Sequence, residues 1–199
     1  MPPSELSSQY YDSMFEGGGK EHAYHKGPHD SFMFVLWDAI AKKLTSNDCV
    51  AEFGCGAGQL ANLIMEYGYT YIYGVDLSFK GIQYARILNQ WCMTKFHIGS
   101  MYDEKMFNLG EYNTAIFCEC LEHINDDLLP LSYLKPGTRV ILSVPTAESK
   151  EHVRCFPTSL SIKEHYGAIV DINSIDTILI PINNPGNKHY WYIVDGVIK

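Results

Sequence analysis

Cys49-Val50-Ala51-Glu52-Phe53-Gly54-Cys55-Gly56-Ala57-Gly58 is an apolar run ending in three alternating glycines, and Asp76 closes the next apolar run, Tyr71-Ile72-Tyr73-Gly74-Val75-Asp76. The first run predicts a strand over 49–53. The glycines predict a sharp strand-to-helix turn, because residues without a Cβ accept backbone angles and close ligand approach that others refuse. A carboxylate at the tip of the following strand, 70–76, is able to accept both hydroxyl hydrogens of a ribose. Glu52, the glycine loop and Asp76 therefore predict a pocket for an adenosine-bearing cofactor. The spacing separates the alternatives. A dinucleotide loop, G-x-G-x-x-G, would put its last glycine where Gln59 stands, and a P-loop needs G-K-[ST] after its glycines; neither pattern is present.

Strands and helices alternate from Cys49 onward. The reading is strand 49–53, helix 58–67, strand 70–76, helix 78–91 with Ser78 as its cap, strand 94–98, strand 113–118, helix 126–134, strand 138–144 and helix 158–166. Such alternation predicts a mostly parallel sheet covered by helices on both faces. The ending differs: Ala168 to Ile180 and His189 to Val194 are β-rich runs joined by Pro181-Ile182-Asn183-Asn184-Pro185-Gly186-Asn187. That linker is too short for a crossover helix, so an antiparallel hairpin is expected. Residues 1–44 read as an N-terminal cap on a single domain whose core spans 45–199. Within the cap, Asp30 is expected to start a helix over 31–44, with Phe32, Val35, Leu36, Ala39, Ile40 and Leu44 on one side. Gly17 to His29, glycine-punctuated and polar, reads either as a solvated loop or as an active-site lid. Tyr11, Tyr24 and His25 are the cap residues expected to close over a ligand.

The 199 residues suit one domain, and 46% apolar with 19% charged residues is ordinary for a soluble globular protein. No apolar run reaches the roughly 20 residues that span a bilayer, and Met1-Pro2-Pro3-Ser4-Glu5 does not resemble a secretory leader, so a cytoplasmic protein is expected. Six cysteines without a C-x-x-C pair fit reduced thiols better than a disulfide frame or a zinc site. The net charge is −8, and no Lys or Arg cluster exceeds the pair Lys42-Lys43, which disfavours a long nucleic-acid partner.

The order E-x-G-x-G-x-G from Glu52, Asp76, E-C-L-E-H-I from Glu119, L-K-P-G-T from Leu134, S-V-P from Ser143 and H-V-R-C-F from His152 resembles the class I S-adenosylmethionine-dependent methyltransferases over about residues 45–199. Its block 119–156 is similar to the group holding the ubiquinone-biosynthesis O-methyltransferases and many small-molecule methyltransferases. The resemblance implies a Rossmann-like fold with a seven-stranded, mostly parallel sheet, and S-adenosylmethionine as cofactor, leaving as S-adenosylhomocysteine. It implies methyl transfer to an O or N atom of a small-molecule acceptor. Carried over by position, Gly54, Cys55 and Gly56 lie against the methionine and ribose, Asp76 takes the ribose hydroxyls, and Leu77 lies along the adenine. Ser100 stands where many relatives have an aspartate facing the adenine amino group, with the Met101 amide beside it, while Cys118 and Glu119 border the pocket.

His123 and His152 follow the fourth and fifth strands and are the candidate general bases, since imidazole titrates near neutral pH. A purely structural role for His123, holding its loop, is the alternative. The small-RNA 3′-terminal 2′-O-methyltransferases share E-x-x-E-H and use it with a further histidine to hold a divalent metal. Glu119, Glu122, His123 and His152 offer such a set, although the second histidine cluster of that family is absent after strand five. No metal is expected on the first reading. A cofactor-binding scaffold without turnover is the remaining alternative.

Overall fold

The computed structural model describes residues 5–16, 26–180 and 189–199. Seven strands form one sheet in the order β3-β2-β1-β4-β5-β7-β6, with β1 Cys49–Phe53, β2 Thr70–Asp76, β3 Phe96–Ile98, β4 Thr114–Cys118, β5 Arg139–Pro145, β6 Val170–Ile180 and β7 His189–Ile198. The first five strands run parallel. β7 pairs antiparallel with both β5 and β6, so the hairpin turns back and inserts its second strand next to the parallel set. Strand order reverses between β1 and β4, and in an open α/β sheet that reversal opens a crevice beyond the carboxyl ends of the strands.

Side chains alternate across the sheet with the period of two that a pleated strand imposes. Phe53, Phe117, Leu142 and Val194 face one layer, with Leu131 of α5 (Leu128–Ser132) and Ile162 and Tyr166 of α6 (Ser159–Tyr166). Val50, Ile116, Ile141 and Ile193 face the other. There they meet Leu36 and Ile40 of α2 (Phe34–Ala41), Leu60 and Leu63 of α3 (Gln59–Glu66) and Ile82 of α4 (Phe79–Leu88). Each such side chain contributes about 1.5–3 kcal/mol by leaving water, so two full apolar layers hold the sheet from both faces. The far end is held by charge. Arg139 bridges Asp48 (3.0 Å) and Asp195 (2.7 Å), and Thr114 donates to Asp48 at 2.5 Å.

Two helices depart from the sequence expectation for local reasons. Asp30 does not cap a helix over 31–44. Pro28 sets a short 3-10 turn over Pro28–Asp30, the Ser31 N–H closes back on the Pro28 carbonyl, and the helix starts only at Phe34. Phe32 and Val35 are consequently exposed, while Leu36, Ile40 and Leu44 are buried as expected. The helix expected over 78–91 stops at Leu88 because the Asn89 amide turns back to donate to the Ala85 and Gly58 carbonyls; an irregular 3-10 stretch, Gln90–Lys95, follows. Ahead of all these lies α1, Ser8–Glu16, which packs on α4. No helix among the described residues is long and apolar enough to cross a membrane.

Candidate functional site

The turn after β1 is tied to β2 by two backbone bonds, Gly54 and Cys55 N–H to the Val75 carbonyl at 2.8 and 3.0 Å. All three glycines have positive φ, each for a different reason. A Cβ on Gly54 would meet the Cβ of Cys120 at 2.6 Å, and one on Gly58 would meet the Ala85 Cβ of α4 at 2.9 Å. Above Gly56 there is open space, with nothing within 4 Å of where a Cβ would sit. The Gly56 N–H donates to Asp76 Oδ2 at 2.8 Å and the Ser78 N–H to Oδ1 at 2.7 Å, which aims the carboxylate into that space. Each oxygen keeps a second lone pair for a further donor. Burial raises the Asp76 pKa, and these two backbone bonds oppose the rise. Glu52, 2% exposed, accepts from the Tyr71 hydroxyl at 2.9 Å and is pushed up to about 8 by burial. A glycine cradle open to a ligand beside a carboxylate with unused lone pairs fits a ribose-bearing cofactor.

The loops after β4 and β5 are fastened to each other. Val153 N–H donates to the Glu122 carbonyl (2.8 Å), and the Arg154 guanidinium donates to the carbonyls of Leu121, Ile124 and Asn125 at 2.5, 2.6 and 2.7 Å. His123 Nδ1 lies 2.9 Å from the Glu151 carbonyl. A carbonyl only accepts, so Nδ1 carries the hydrogen and Nε2 is left as a bare acceptor. The His152 ring stands 5.0 Å from that of His123, and burial lowers both pKa values, keeping the imidazoles neutral. Behind them Glu122 is wholly buried with neither carboxylate oxygen in a well-formed hydrogen bond, and burial pushes it up to about 8. Ligand atoms of Glu122, His123 and His152 lie within 4.8 Å of one another. Glu119, placed in the same candidate metal set by the sequence, is outside this trio. It begins the loop in a left-handed conformation (φ 53°), its N–H on Ser143 Oγ at 2.9 Å, and burial together with Glu122 raises its pKa.

α1 lies across the opening. Asp12 Oδ1 accepts from Ser78 Oγ (2.6 Å) and from the Lys80 N–H (2.9 Å), Tyr10 donates to Glu151 (3.1 Å), and the Tyr11 ring packs edge-on 6.0 Å from His123. Ahead of the helix, Glu5 accepts from the Tyr102 hydroxyl and the Asn125 N–H. Together these elements enclose a cleft of about 560 Å³. Its walls include Glu52, Gly54, Cys55, Gly56, Asp76, Leu77, Ser100, Met101, Cys118, Glu119, His123, His152 and Tyr11, all brought together from the sequence reading. Tyr24 and His25 lie outside the described residues. Ser100 differs in detail, because its oxygen already accepts from the Tyr102 N–H at 3.1 Å. Sequence reasoning missed Trp37, Tyr190 and Trp191, which also line the cleft, and Asp12 and Arg154, which hold its walls. For Arg154 the signal was present in the H-V-R run; for the aromatics no local pattern marked them.

Comparison with known proteins agrees with this geometry. A family model described as a methyltransferase domain matches residues 29–178. No curated protein sequence matches the chain. Among solved structures, the magnesium protoporphyrin IX methyltransferase of Synechocystis PCC 6803 with bound S-adenosylmethionine is similar at 18% identity, covering 96% of this chain and 97% of that one with a TM-score of 0.66. An S-adenosylmethionine-dependent methyltransferase from Mesorhizobium loti is similar at 14% identity over 86% and 100% of the two chains, TM-score 0.60. The methyltransferase domain of bacterial CtHen1 is similar at 20% identity over 82% and 99%, TM-score 0.56. Matched by that family model over most of its length, the chain belongs to the methyltransferase domain family and is an S-adenosylmethionine-dependent methyltransferase.

Proposed function

We propose that the protein transfers the methyl group of S-adenosylmethionine to an oxygen or nitrogen atom of a small-molecule acceptor. Two neutral imidazoles stand 5.0 Å apart in the same cleft as Asp76 and Gly56, at the ends of β4 and β5, and this observation carries the reading. The sulfonium is already a good leaving group, so the protein's tasks are alignment, exclusion of water and removal of a proton from the acceptor. Alignment alone supplies up to roughly 7–11 kcal/mol in well-oriented reactions. In this reading Asp76 takes the ribose hydroxyls, Glu52 faces the methionine ammonium, Leu77 and Met101 flank the adenine, and His123 Nε2 or His152 accepts the proton. A place among the ubiquinone-type small-molecule methyltransferases and a cytoplasmic location belong to the same proposal; six free thiols suit a reducing compartment.

The test is release of S-adenosylhomocysteine with candidate acceptors, combined with calorimetry on single variants. Asp76→Ala is expected to weaken S-adenosylhomocysteine at least tenfold, since hydrogen bonds to a charged group contribute about 1.5–3 kcal/mol each. Loss of a general base lowers turnover about 10²–10⁴-fold with cofactor affinity unchanged. Full turnover in both His123→Ala and His152→Ala would show that alignment suffices. Cofactor binding without release of product from any acceptor would leave the protein a binding scaffold.

A second reading is favoured by Glu122, whose buried carboxylate has no well-formed hydrogen bond and lies beside two neutral imidazoles. One carboxylate and two imidazoles suit Mn²⁺, Zn²⁺ or a similar ion, which would act there as a Lewis acid on an acceptor hydroxyl. Abolition of turnover by a chelator, with recovery on adding Mn²⁺ or Mg²⁺, would replace the general-base role of the histidines by this one.

A further inference from the structure

The walls of the cleft have a one-sided charge. Glu5, Asp76, Glu148 and Glu151 line it beside the buried carboxyls of Glu52 and Glu119, whose burial opposes ionisation, and among the described residues no Lys or Arg does. S-adenosylmethionine, with a sulfonium and an ammonium against one carboxylate, brings a single net positive charge, which leaves a negative surplus from the remaining carboxylates. The surplus lies on the acceptor side. Glu148 and Glu151 come from the loop after β5, beyond Pro145, while Glu52 and Asp76 sit at the glycine turn. Glu151 is held in place by hydrogen bonds from Ser149 and Tyr10. Behind this loop the buried carboxyl of Glu122, without a well-formed hydrogen bond, reaches within 4.8 Å of the ring nitrogens of His123 and His152, which line the cleft. Tyr11, Trp37 and Trp191 give the same space aromatic walls, which favour a cation over an anion through the negative faces of their rings.

We propose that the acceptor enters as a cation, an ammonium attached to an aromatic or apolar body. An acceptor carrying a carboxylate or phosphate would meet Glu148 and Glu151 with no Lys or Arg lining the cleft among the described residues, a repulsion that salt weakens at the exposed Glu148. The inference rests on the methyltransferase reading and narrows its acceptor to one charge class.

Protein loaded with S-adenosylhomocysteine is titrated by calorimetry with three probes of matched size: tyramine, tyrosol and 3-(4-hydroxyphenyl)propionate, which differ in carrying an ammonium, a hydroxyl or a carboxylate. Tyramine is expected to bind at least about tenfold tighter than the propionate at low salt, with tyrosol between. The preference should shrink about threefold or more in Glu148→Gln, an exposed side chain whose loss leaves the fold intact, and shrink again as salt rises. Equal or tighter binding of the carboxylate overturns the proposal, as does a preference unmoved by Glu148→Gln and by salt. Absence of binding by all three probes to the loaded protein also overturns it. Failure of S-adenosylhomocysteine itself to bind would instead sink the methyltransferase reading beneath it.

Discussion

Gly54 and Gly56 share one motif and positive φ angles of 81° and 50°, yet their neighbours give them different work. A side chain at either position takes the left-handed conformation, costing about 1–2 kcal/mol. At Gly54 it would also collide with Cys120, whereas at Gly56 it would enter open space, where the proposed cofactor site lies. Gly54→Ala is therefore expected to lower the melting temperature markedly, and Gly56→Ala to lower it slightly while weakening S-adenosylhomocysteine at least tenfold. Thermal melts and calorimetry on the two variants check this, and equal loss of stability in both would remove the distinction. Glu52 provides a pH signature. Its folded-state pKa of about 8 exceeds the ordinary 4.5, so the native state holds a proton that the unfolded chain releases first. Below pH 4.5 both states are protonated and the carboxyl costs nothing; between 4.5 and 8 stability falls by up to roughly 1.4 kcal/mol per pH unit; above 8 the loss is complete. Glu52→Gln has no such proton to lose. Relative to wild type it should gain stability from pH 5 to pH 8.5, and a difference that stays flat over that range would show Glu52 to be ionised in the fold.

α1 is held to the core by the buried Phe15 against Tyr84 and by polar contacts: Asp12 on the start of α4, Tyr10 on Glu151, and Glu5 ahead of it on Tyr102 and Asn125. Elements held in this way open at low free energy, and a bound cofactor beneath them makes opening costlier. Amide exchange over residues 8–16 is thus expected to slow at least tenfold on saturation with S-adenosylhomocysteine. It should be fast in Asp12→Ala, where the two bonds to α4 are lost; exchange indifferent to cofactor would make α1 a fixed part of the core. This element was illegible in the sequence because its order comes from distant partners. Asp12 and Ser78 are joined only through the fold. The glycine turn, by contrast, was legible, since its geometry is dictated by residues next to one another in the chain. The early start expected for α2 failed for a local reason of the same kind, a proline at position 28 that outweighed Asp30 as a cap.

At the scale of the whole molecule, the two ends of the sheet divide the labour of binding and stability. The carboxyl ends of β1, β2, β4 and β5 carry the cleft, whose glycines and acidic tips were readable from spacing. Trp191 reaches the cleft because β7 pairs with β5 through the register Pro145 to Trp191, a long-range match that no local pattern announces. The amino ends of β1, β4 and β5 carry instead the network of Arg139 with Asp48, Asp195 and Thr114. There the hydrogen bonds from Thr114 and Thr45, with the guanidinium adding to them, hold Asp48 below the ordinary carboxylate range against the opposing effect of burial. Removing one partner of such a group leaves largely buried carboxylates without a counter-charge, a loss of about 3–5 kcal/mol when burial is complete and less for a side chain that keeps some contact with water. Arg139 retains 25% exposure, so Arg139→Met is expected to cost about 2–3 kcal/mol. In a chain of this size that lowers the melting temperature by roughly 4–12 °C. Because this network lies at the opposite end of the strands from Asp76 and Gly56, S-adenosylhomocysteine affinity measured well below the melting temperature should stay within about twofold of wild type. A variant that remains folded but binds the cofactor tenfold more weakly would show that the charged end of the sheet helps to shape the cleft.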